Sequence, residues 1–293
     1  MIVHWRGIGN LNRTANKLGD RLGVGTATKN KIATTLRELK SMSANSENKL
    51  TQDKVNEYLT SIKDKVQDGT ISEKTATDKI SILNDILRAL GKDDLKISAS
   101  DNGLHKNILN SSTKAVSQET HQQFKEFLEK QYQQTQDIRY LSLSHAIDLQ
   151  REAGLRLAES LKIKITEKDS NTLKLTDRDG TKNNQLREVK ILHDAGKQAI
   201  ESAKQFAIEN GYKSLIPNNH SFKEMVNFAY NTKYQFERTT EQEYRFHGER
   251  HSFATEQLTR YQENGLTEEQ ARQELTEDLG HHRIDITYVY TSK

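Results

Sequence analysis

Cysteine is absent from the 293 residues of this chain, and proline occurs only once. Without cysteine the chain can form no disulfide framework and offers no thiolate ligands to a metal, which fits a reducing compartment. We therefore expect a cytoplasmic protein. With one proline and 15 glycines, the chain also has few of the residues that break helices and form tight turns. This composition predicts a mainly helical protein with little β-structure.

Long apolar runs are also missing. Nowhere do about 18 apolar residues follow one another, as a membrane-spanning helix requires. The amino-terminal segment MIVHWRGIGNLNRTANKLG has no apolar core of the kind that a signal peptide contains. We therefore expect no association with a membrane.

The net charge of +3 is too small to identify a partner, but its distribution is uneven. Residues 1–45 contain eight lysines and arginines and only two acidic residues, so the rest of the chain is slightly acidic. A basic segment of this kind can lie on nucleic-acid phosphates. A solvated basic helix face would give the same pattern, and both interpretations stay open.

The length of the chain allows two domains, each with its own core. Apolar residues recur at helical spacing in three segments, residues 32–42, 55–66 and 80–90. Gly91 ends the third segment, and the polar stretch that follows it to Ser117 is typical of a linker. We predict a helical domain over residues 1–115 and a second domain over residues 116–293.

The second domain is predicted to contain helices interrupted by a small sheet. Between residues 172 and 192 apolar and polar residues alternate on both sides of Asp179-Gly180, which predicts a β-hairpin or a three-stranded sheet. Helical spacing resumes afterwards. Thr267 and Gln270 have the spacing of a capping box, which predicts that a helix begins there.

Four short strings of the second domain contain side chains suited to phosphate chemistry. In order, they are AGLRLAES around Arg156, DGTKNNQLREVKI around Lys182, HGERHSFAT from His247, and LGHHRIDITYVY ending in Tyr290. Each alone has an ordinary explanation, such as a capping arginine, a solvated hairpin lysine or a chance His-x-x-Arg pair. Their joint occurrence in this order is the informative observation.

Together the strings resemble the boxes of the tyrosine recombinase (phage integrase) family. These boxes are approximately Gly-Leu-Arg-x-x-Glu, a hairpin lysine, His-x-x-Arg-His, and Leu-Gly-His followed nine residues later by tyrosine. The resemblance covers about residues 117–293 and implies an α+β fold, in which a helical core-binding domain precedes the catalytic domain. Glu159 occupies the acidic position that supports the first arginine. The resemblance implies these catalytic residues: Arg156, Lys182, His247, Arg250, His281 and Tyr290.

The resemblance implies a site-specific recombinase or integrase that cleaves and rejoins double-stranded DNA through a 3′-phosphotyrosyl intermediate. It implies no cofactor or metal, and a homotetramer acting on two DNA sites. The LGHHRID string and the helical insertion between Ala254 and Leu279 resemble integrases of prophages and integrative elements, so we expect the protein to integrate or excise a mobile element. Two alternatives stay open: DNA relaxation like that of a type IB topoisomerase, and a catalytically silent DNA-binding factor.

The residue types suit this reaction. Attack on a phosphodiester places negative charge on its non-bridging oxygens, and Arg156 and Arg250 can present paired N–H donors to them. A tyrosine has an ordinary pKa of about 10, so Tyr290 needs a base to lose its proton, and His247 is the candidate. Lys182 is the candidate for protonating the 5′ oxygen as it leaves.

Two of these assignments have rivals nearby in the sequence. Tyr288 lies on the same terminal segment as Tyr290, but the family spacing from Leu-Gly-His selects Tyr290. His282 directly follows His281 and is interpreted as a surface residue.

A third rival and two departures from the family pattern concern the rest of the site. Lys174, on the preceding strand, is the rival of Lys182, because hairpin length varies in the family. Ser160 follows Glu159 where an apolar residue is usual. Only three residues follow Tyr290 where many relatives have a further helix, so Tyr290 acting in a neighbouring protomer is an alternative to its acting in its own chain.

Overall fold

The structure, a computed structural model, describes residues 8–42, 50–105, 114–181, 186–281 and 284–291. The chain divides into two compact units, Met1–Ile108 and Leu109–Lys293. Together the described residues are mainly helical and include one small sheet, as the sequence predicts. None of the helices within these ranges is long and apolar enough to cross a membrane.

The amino-terminal unit is a bundle of four helices, α1 (Ile8–Arg21), α2 (Thr26–Ser41), α3 (Gln52–Gln67) and α4 (Glu73–Ala89). The last three are the helices that the apolar spacing predicts. The side chains of Thr51 and Ser72 cap α3 and α4 by accepting hydrogen bonds from backbone N–H groups of the first turn. The sequence analysis missed α1, although its apolar residues have helical spacing and are buried: Leu11, Ala15 and Leu18.

The carboxy-terminal unit is built around two central helices, α6 and α10. Helix α6 packs against α5, α8 and α10, so it is buried on several sides and has no single apolar face. The helices of this unit are α5 (Gln118–Thr135), α6 (Arg139–Ala153), α7 (Leu157–Lys162), α8 (Asp194–Glu209), α9 (Phe222–Thr240), α10 (Phe246–Glu263), α11 (Glu268–Asp278) and α12 (Asp285–Thr291).

The sheet consists of two antiparallel strands, β1 (Thr172–Leu175) and β2 (Arg187–Lys190). Leu173 pairs with Val189, and both are fully buried against the core of the unit. The alternation in the sequence therefore predicted the hairpin correctly, and the described residues form two strands rather than three.

The capping box predicted at the start of α11 is present. The Thr267 hydroxyl accepts a hydrogen bond from Gln270 N, and the Gln270 side chain accepts one from Thr267 N. These two bonds satisfy backbone donors that the first turn of a helix otherwise leaves free. The capping box therefore defines the residue at which α11 begins, and the Leu-Gly-His string follows the carboxy-terminal end of this helix.

Candidate active site

Four segments of the carboxy-terminal unit bring five of the six predicted catalytic residues together. Arg156 lies at the amino terminus of α7, and His247 and Arg250 lie in the first turns of α10. His281 follows the end of α11, and Tyr290 lies on α12. These segments meet because α10 packs against both α11 and α12.

Of Lys182 and its rival Lys174, the structure describes only Lys174. Lys182 lies outside the described residues, as does His282. Lys174 lies on β1 with its side chain exposed, at 3.6 Å from the carboxylate of Glu188 on the paired strand. The role of Lys182 therefore stays a prediction.

Tyr290 is buried within the cluster, and its hydroxyl is hydrogen-bonded to His247 Nε2 at 3.2 Å. The ring of His251 lies against the Tyr290 ring, with centroids 4.4 Å apart. Tyr288 is 43% exposed and faces away from this cluster, with the guanidinium of Arg272 over its ring. Of the two tyrosines on α12, Tyr290 is the one that faces the histidines, and it does so within its own chain.

The histidines around Tyr290 are neutral at physiological pH. Burial, the proximity of His251, which would repel a second protonated ring, and the charge of Arg250 lower the pKa of His247 to about 4. Burial and the same arginine lower the pKa of His281 to about 3. A neutral His247 has a ring nitrogen that can take a proton from Tyr290, and the negative charge of an entering phosphate would counter the positive charge that lowers its pKa.

Four polar atoms of the cluster are buried without a hydrogen-bond partner among the described residues: His281 Nε2, Arg250 Nε, His251 Nδ1 and Arg187 Nε. Leaving such atoms unpaired costs about 1–3 kcal/mol each, so proteins seldom do so without a reason. The atoms of His281 and Arg250, two of the predicted catalytic residues, are therefore available to a ligand that enters the cluster.

Arg250 is fully buried and is held by the backbone of two other segments. One of its terminal nitrogens donates to the carbonyl of Gly154 and the other to the carbonyl of Leu279. Gly154 has a φ of +62°, a conformation that favours glycine, and a β-carbon there would overlap the ring of Phe253. The glycine of the Gly-Leu-Arg string is thus required for the backbone that holds Arg250.

One carboxylate, that of Glu159, faces three guanidinium groups. Its oxygens accept hydrogen bonds from Arg156 Nη1 at 2.7 Å and from Arg187 Nη2 at 2.6 Å. The Arg250 Nη1 atom lies 3.9 Å away. Burial opposes ionisation of Glu159, but the charges of the three arginines outweigh it and keep its pKa below the ordinary value. The cluster therefore carries a surplus of positive charge, which suits an anion.

Two residues at the cluster, Arg187 and His251, are not among the catalytic residues that the sequence analysis assigned, although His251 ends the His-x-x-Arg-His box. His251 lies four residues after His247, so helical spacing places both on one face of α10. Arg187 occupies a position of β2 whose alternate neighbour, Val189, faces the core. An arginine at an inward-facing strand position is a signal for a buried ion pair, and that signal was available in the sequence.

A second buried network fixes the first turn of α10 from behind. The carboxylate of Glu249 is fully buried and accepts hydrogen bonds from Tyr244 Oη at 2.8 Å and from Arg151 Nη1 at 3.3 Å. His121, on α5, lies with Nδ1 2.9 Å from Glu249 and Nε2 3.2 Å from Asp148. Since Glu249 lies between His247 and Arg250 in the sequence, this network positions the helix turn that carries them.

We expect the contribution of His121 to stability to depend on pH. Burial disfavours its charged form, but the carboxylates of Asp148 and Glu249 outweigh burial and raise its pKa from 6.5 to about 9. A raised pKa stabilises the folded protein fully below about pH 6.5, and the effect is lost as pH rises through about 9. At full size, this contribution of His121 to the free energy of unfolding is about 3 kcal/mol.

Urea unfolding of the wild type and of His121→Gln at pH 6 and pH 9.5 measures this contribution. The wild type should be more stable than the variant by a margin that shrinks by about 2–3 kcal/mol between the two pH values. Gln122 is an exposed neighbour of His121 on α5, and the Gln122→Ala variant should be as stable as the wild type at both pH values. A margin that does not change with pH would show that His121 is not held protonated.

The described residues contain no group of three or more histidine and carboxylate side chains arranged to hold a metal ion. No family model matches the sequence, and no curated protein matches it.

Solved structures do match. One is a lambda integrase dimer bound to a COC′ core site, with 14% identity over 96% of this chain and 76% of that chain, and a TM-score of 0.60. Two others are the XerH site-specific recombinase on its difH substrate. The pre-cleavage complex has 18% identity over 98% and 81% of the two chains and a TM-score of 0.58. The post-cleavage complex, on a palindromic substrate, has 18% identity over 91% and 74% and a TM-score of 0.57. This chain therefore has the tyrosine recombinase fold.

Proposed function

We propose that this protein is a site-specific DNA recombinase in which Tyr290 attacks a DNA phosphate. The observation that carries the proposal is the hydrogen bond between the Tyr290 hydroxyl and a neutral His247, beside a cluster with surplus positive charge. A buried phenol paired with a base is an activated nucleophile. The positive surplus is what a phosphodiester needs as charge develops on its oxygens.

In the cleavage step, Tyr290 Oη forms a bond to phosphorus, and its proton passes to His247 Nε2. The bond from phosphorus to the 5′ oxygen breaks, and Lys182 supplies the proton that makes this oxygen a 5′-hydroxyl. The product is a 3′-phosphotyrosyl ester. A 5′-hydroxyl from another strand reverses the same steps and rejoins DNA, so no nucleotide is consumed.

The arginines and His281 stabilise the transition state in this proposal. Arg156 and Arg250 donate hydrogen bonds to the non-bridging oxygens, and His281 donates one from Nε2, which has no partner among the described residues. Such preorganised donors contribute about 10²–10³-fold each to the rate, because they stabilise charge that is larger in the transition state than in the substrate.

The amino-terminal unit is proposed to bind DNA phosphates. Arg13 and Lys17 on α1 and Lys31 on α2 are exposed. Phosphate contacts of this kind supply much of the affinity for DNA and weaken steeply with salt. We propose that the active assembly is a homotetramer on two DNA sites. We also propose that it integrates or excises a mobile element, as the LGHHRID string and the helical insertion between Ala254 and Leu279 suggest.

The proposal is tested with purified protein and DNA that carries direct repeats taken from the flanks of its own gene, in excess EDTA and without nucleotide. We expect recombinant products and covalent protein–DNA adducts, because arginines, rather than an added ion, supply the positive charge. An absolute requirement for Mg²⁺ would contradict this mechanism.

The same assay separates the alternatives. Relaxation of a supercoiled plasmid without recombinant products would indicate a topoisomerase. DNA binding with neither adducts nor products would indicate a catalytically silent DNA-binding factor.

A further inference from the structure

Arg187 joins three parts of the site, although the proposed reaction does not use it directly. It is the first residue of β2. Its Nη2 donates to Glu159 Oε2 at 2.6 Å, and its Nη1 donates to the carbonyl of Asp278 at 2.6 Å. Glu159 belongs to α7, and Asp278 ends α11 just before the Leu-Gly-His string.

Burial of this guanidinium is costly. The Arg187 side chain is 3% exposed, and taking a charge out of water costs several kcal/mol unless partners compensate it. Compensation is incomplete: Glu159 and, more weakly, Asp278 favour the charge of Arg187, but Arg250 and Arg156 repel it and share the Glu159 carboxylate with it. A leucine or valine at this inward-facing strand position would serve the core at lower cost, so the retained charge points to a role in the site.

The geometry of Glu159 indicates that role. Its Oε1 accepts from Arg156 Nη1, while its Oε2 accepts from both Arg156 N and Arg187 Nη2. Arg187 thereby fixes the orientation of the Glu159 carboxylate, and this carboxylate in turn orients the Arg156 side chain. Without Arg187, the Oε2 atom would be held by Arg156 N alone and could move toward Arg250 Nη1, now 3.9 Å away, where it would neutralise a charge that the phosphate needs.

We propose that Arg187 is a positioning residue for DNA cleavage: it fixes Glu159, so that Arg156 is oriented and the charges of Arg156 and Arg250 stay available to the scissile phosphate. This inference rests on the proposed function. Because the effect of Arg187 is electrostatic, its size depends on the negative charge of the scissile phosphate. A merely structural effect would be the same with a charged and an uncharged group at that position.

The test compares Arg187→Met with the wild type on two suicide substrates. One has an ordinary scissile phosphodiester, and the other has an uncharged methylphosphonate at that position. The first-order rate of adduct formation at saturating DNA is measured, together with the DNA affinity and the thermal unfolding midpoint. We expect a loss of about 10²-fold on the phosphodiester, about threefold or less on the methylphosphonate, and DNA affinity within about threefold of the wild type.

Two further variants complete the design. Lys190→Met is the matched control, because Lys190 also lies on β2 and pairs with Glu274 of α11, but as an exposed ion pair of the kind that contributes little. It should behave as the wild type on both substrates. Arg187→Lys keeps the charge but lacks the planar pair of donors, and it is expected to lose about tenfold on the phosphodiester and almost nothing on the methylphosphonate. If Arg187→Met does not fold, Arg187→Lys is compared with the wild type in its place.

Equal losses on the two substrates, or no loss on the phosphodiester, would overturn the inference while leaving the proposed function intact. A wild type that forms no adduct with Tyr290 would overturn the proposed function, and the inference with it.

Discussion

Replacing Tyr290 by phenylalanine is expected to abolish covalent protein–DNA adducts, with the rate lowered by at least about 10³-fold, as removal of a nucleophile does in other covalent enzymes. The substitution removes only the hydroxyl that is hydrogen-bonded to His247 Nε2, and it keeps the ring that packs against His251. DNA affinity should therefore stay within about twofold of the wild type, because phosphate contacts elsewhere supply most of it. A nicked suicide substrate, which traps the adduct, measures the rate.

Tyr288→Phe is the matched control for this experiment. Tyr288 lies on the same helix, but it is exposed and stacks with Arg272 rather than with the histidines. Adduct formation should be unchanged in this variant. Adducts that persist in Tyr290→Phe and disappear in Tyr288→Phe would reverse the assignment.

Arg250→Lys is expected to slow adduct formation by about 10²–10³-fold, although the charge is kept. The guanidinium of Arg250 bonds the carbonyls of Gly154 and Leu279 with two different nitrogens. A single ammonium group cannot make both bonds and also face a phosphate. Since both carbonyls belong to segments of the site, the loss should appear in the rate at saturating DNA more than in DNA affinity.

Arg260→Lys on the same helix is the control. Arg260 pairs with Glu256 at 3.1 Å in a partly exposed ion pair, so its replacement by lysine should change the adduct rate less than about twofold. An Arg250→Lys protein that is folded and as fast as the control would show that paired donors are not needed at this position.

The sequence predicted much of this arrangement because its signals are local. His247 and Arg250 lie three residues apart, which places them on one face of a helix wherever that helix packs. The alternation of apolar residues predicted the hairpin, and the fixed spacing from Leu-Gly-His selected the tyrosine that the structure places beside His247.

The parts that were missed depend on contacts between distant residues. Arg187 meets Glu159 across 28 positions and the Asp278 carbonyl across 91, and His121 meets Glu249 across 128. No local pattern specifies such partners. The protonation state of His247 was beyond the sequence for the same reason, because its low pKa results from burial and from charges that tertiary packing brings close.

The most direct test of the account is to identify the amino acid that becomes bonded to DNA. Adducts of the wild type, formed on a suicide substrate, are digested with nuclease and trypsin, and the peptide of residues 284–293 is sequenced by mass spectrometry. The account predicts a nucleotide joined through its 3′-phosphate to Tyr290, with Tyr288 of the same peptide unmodified. A nucleotide on Tyr288 or on any other residue, or one joined through a 5′-phosphate, would contradict it.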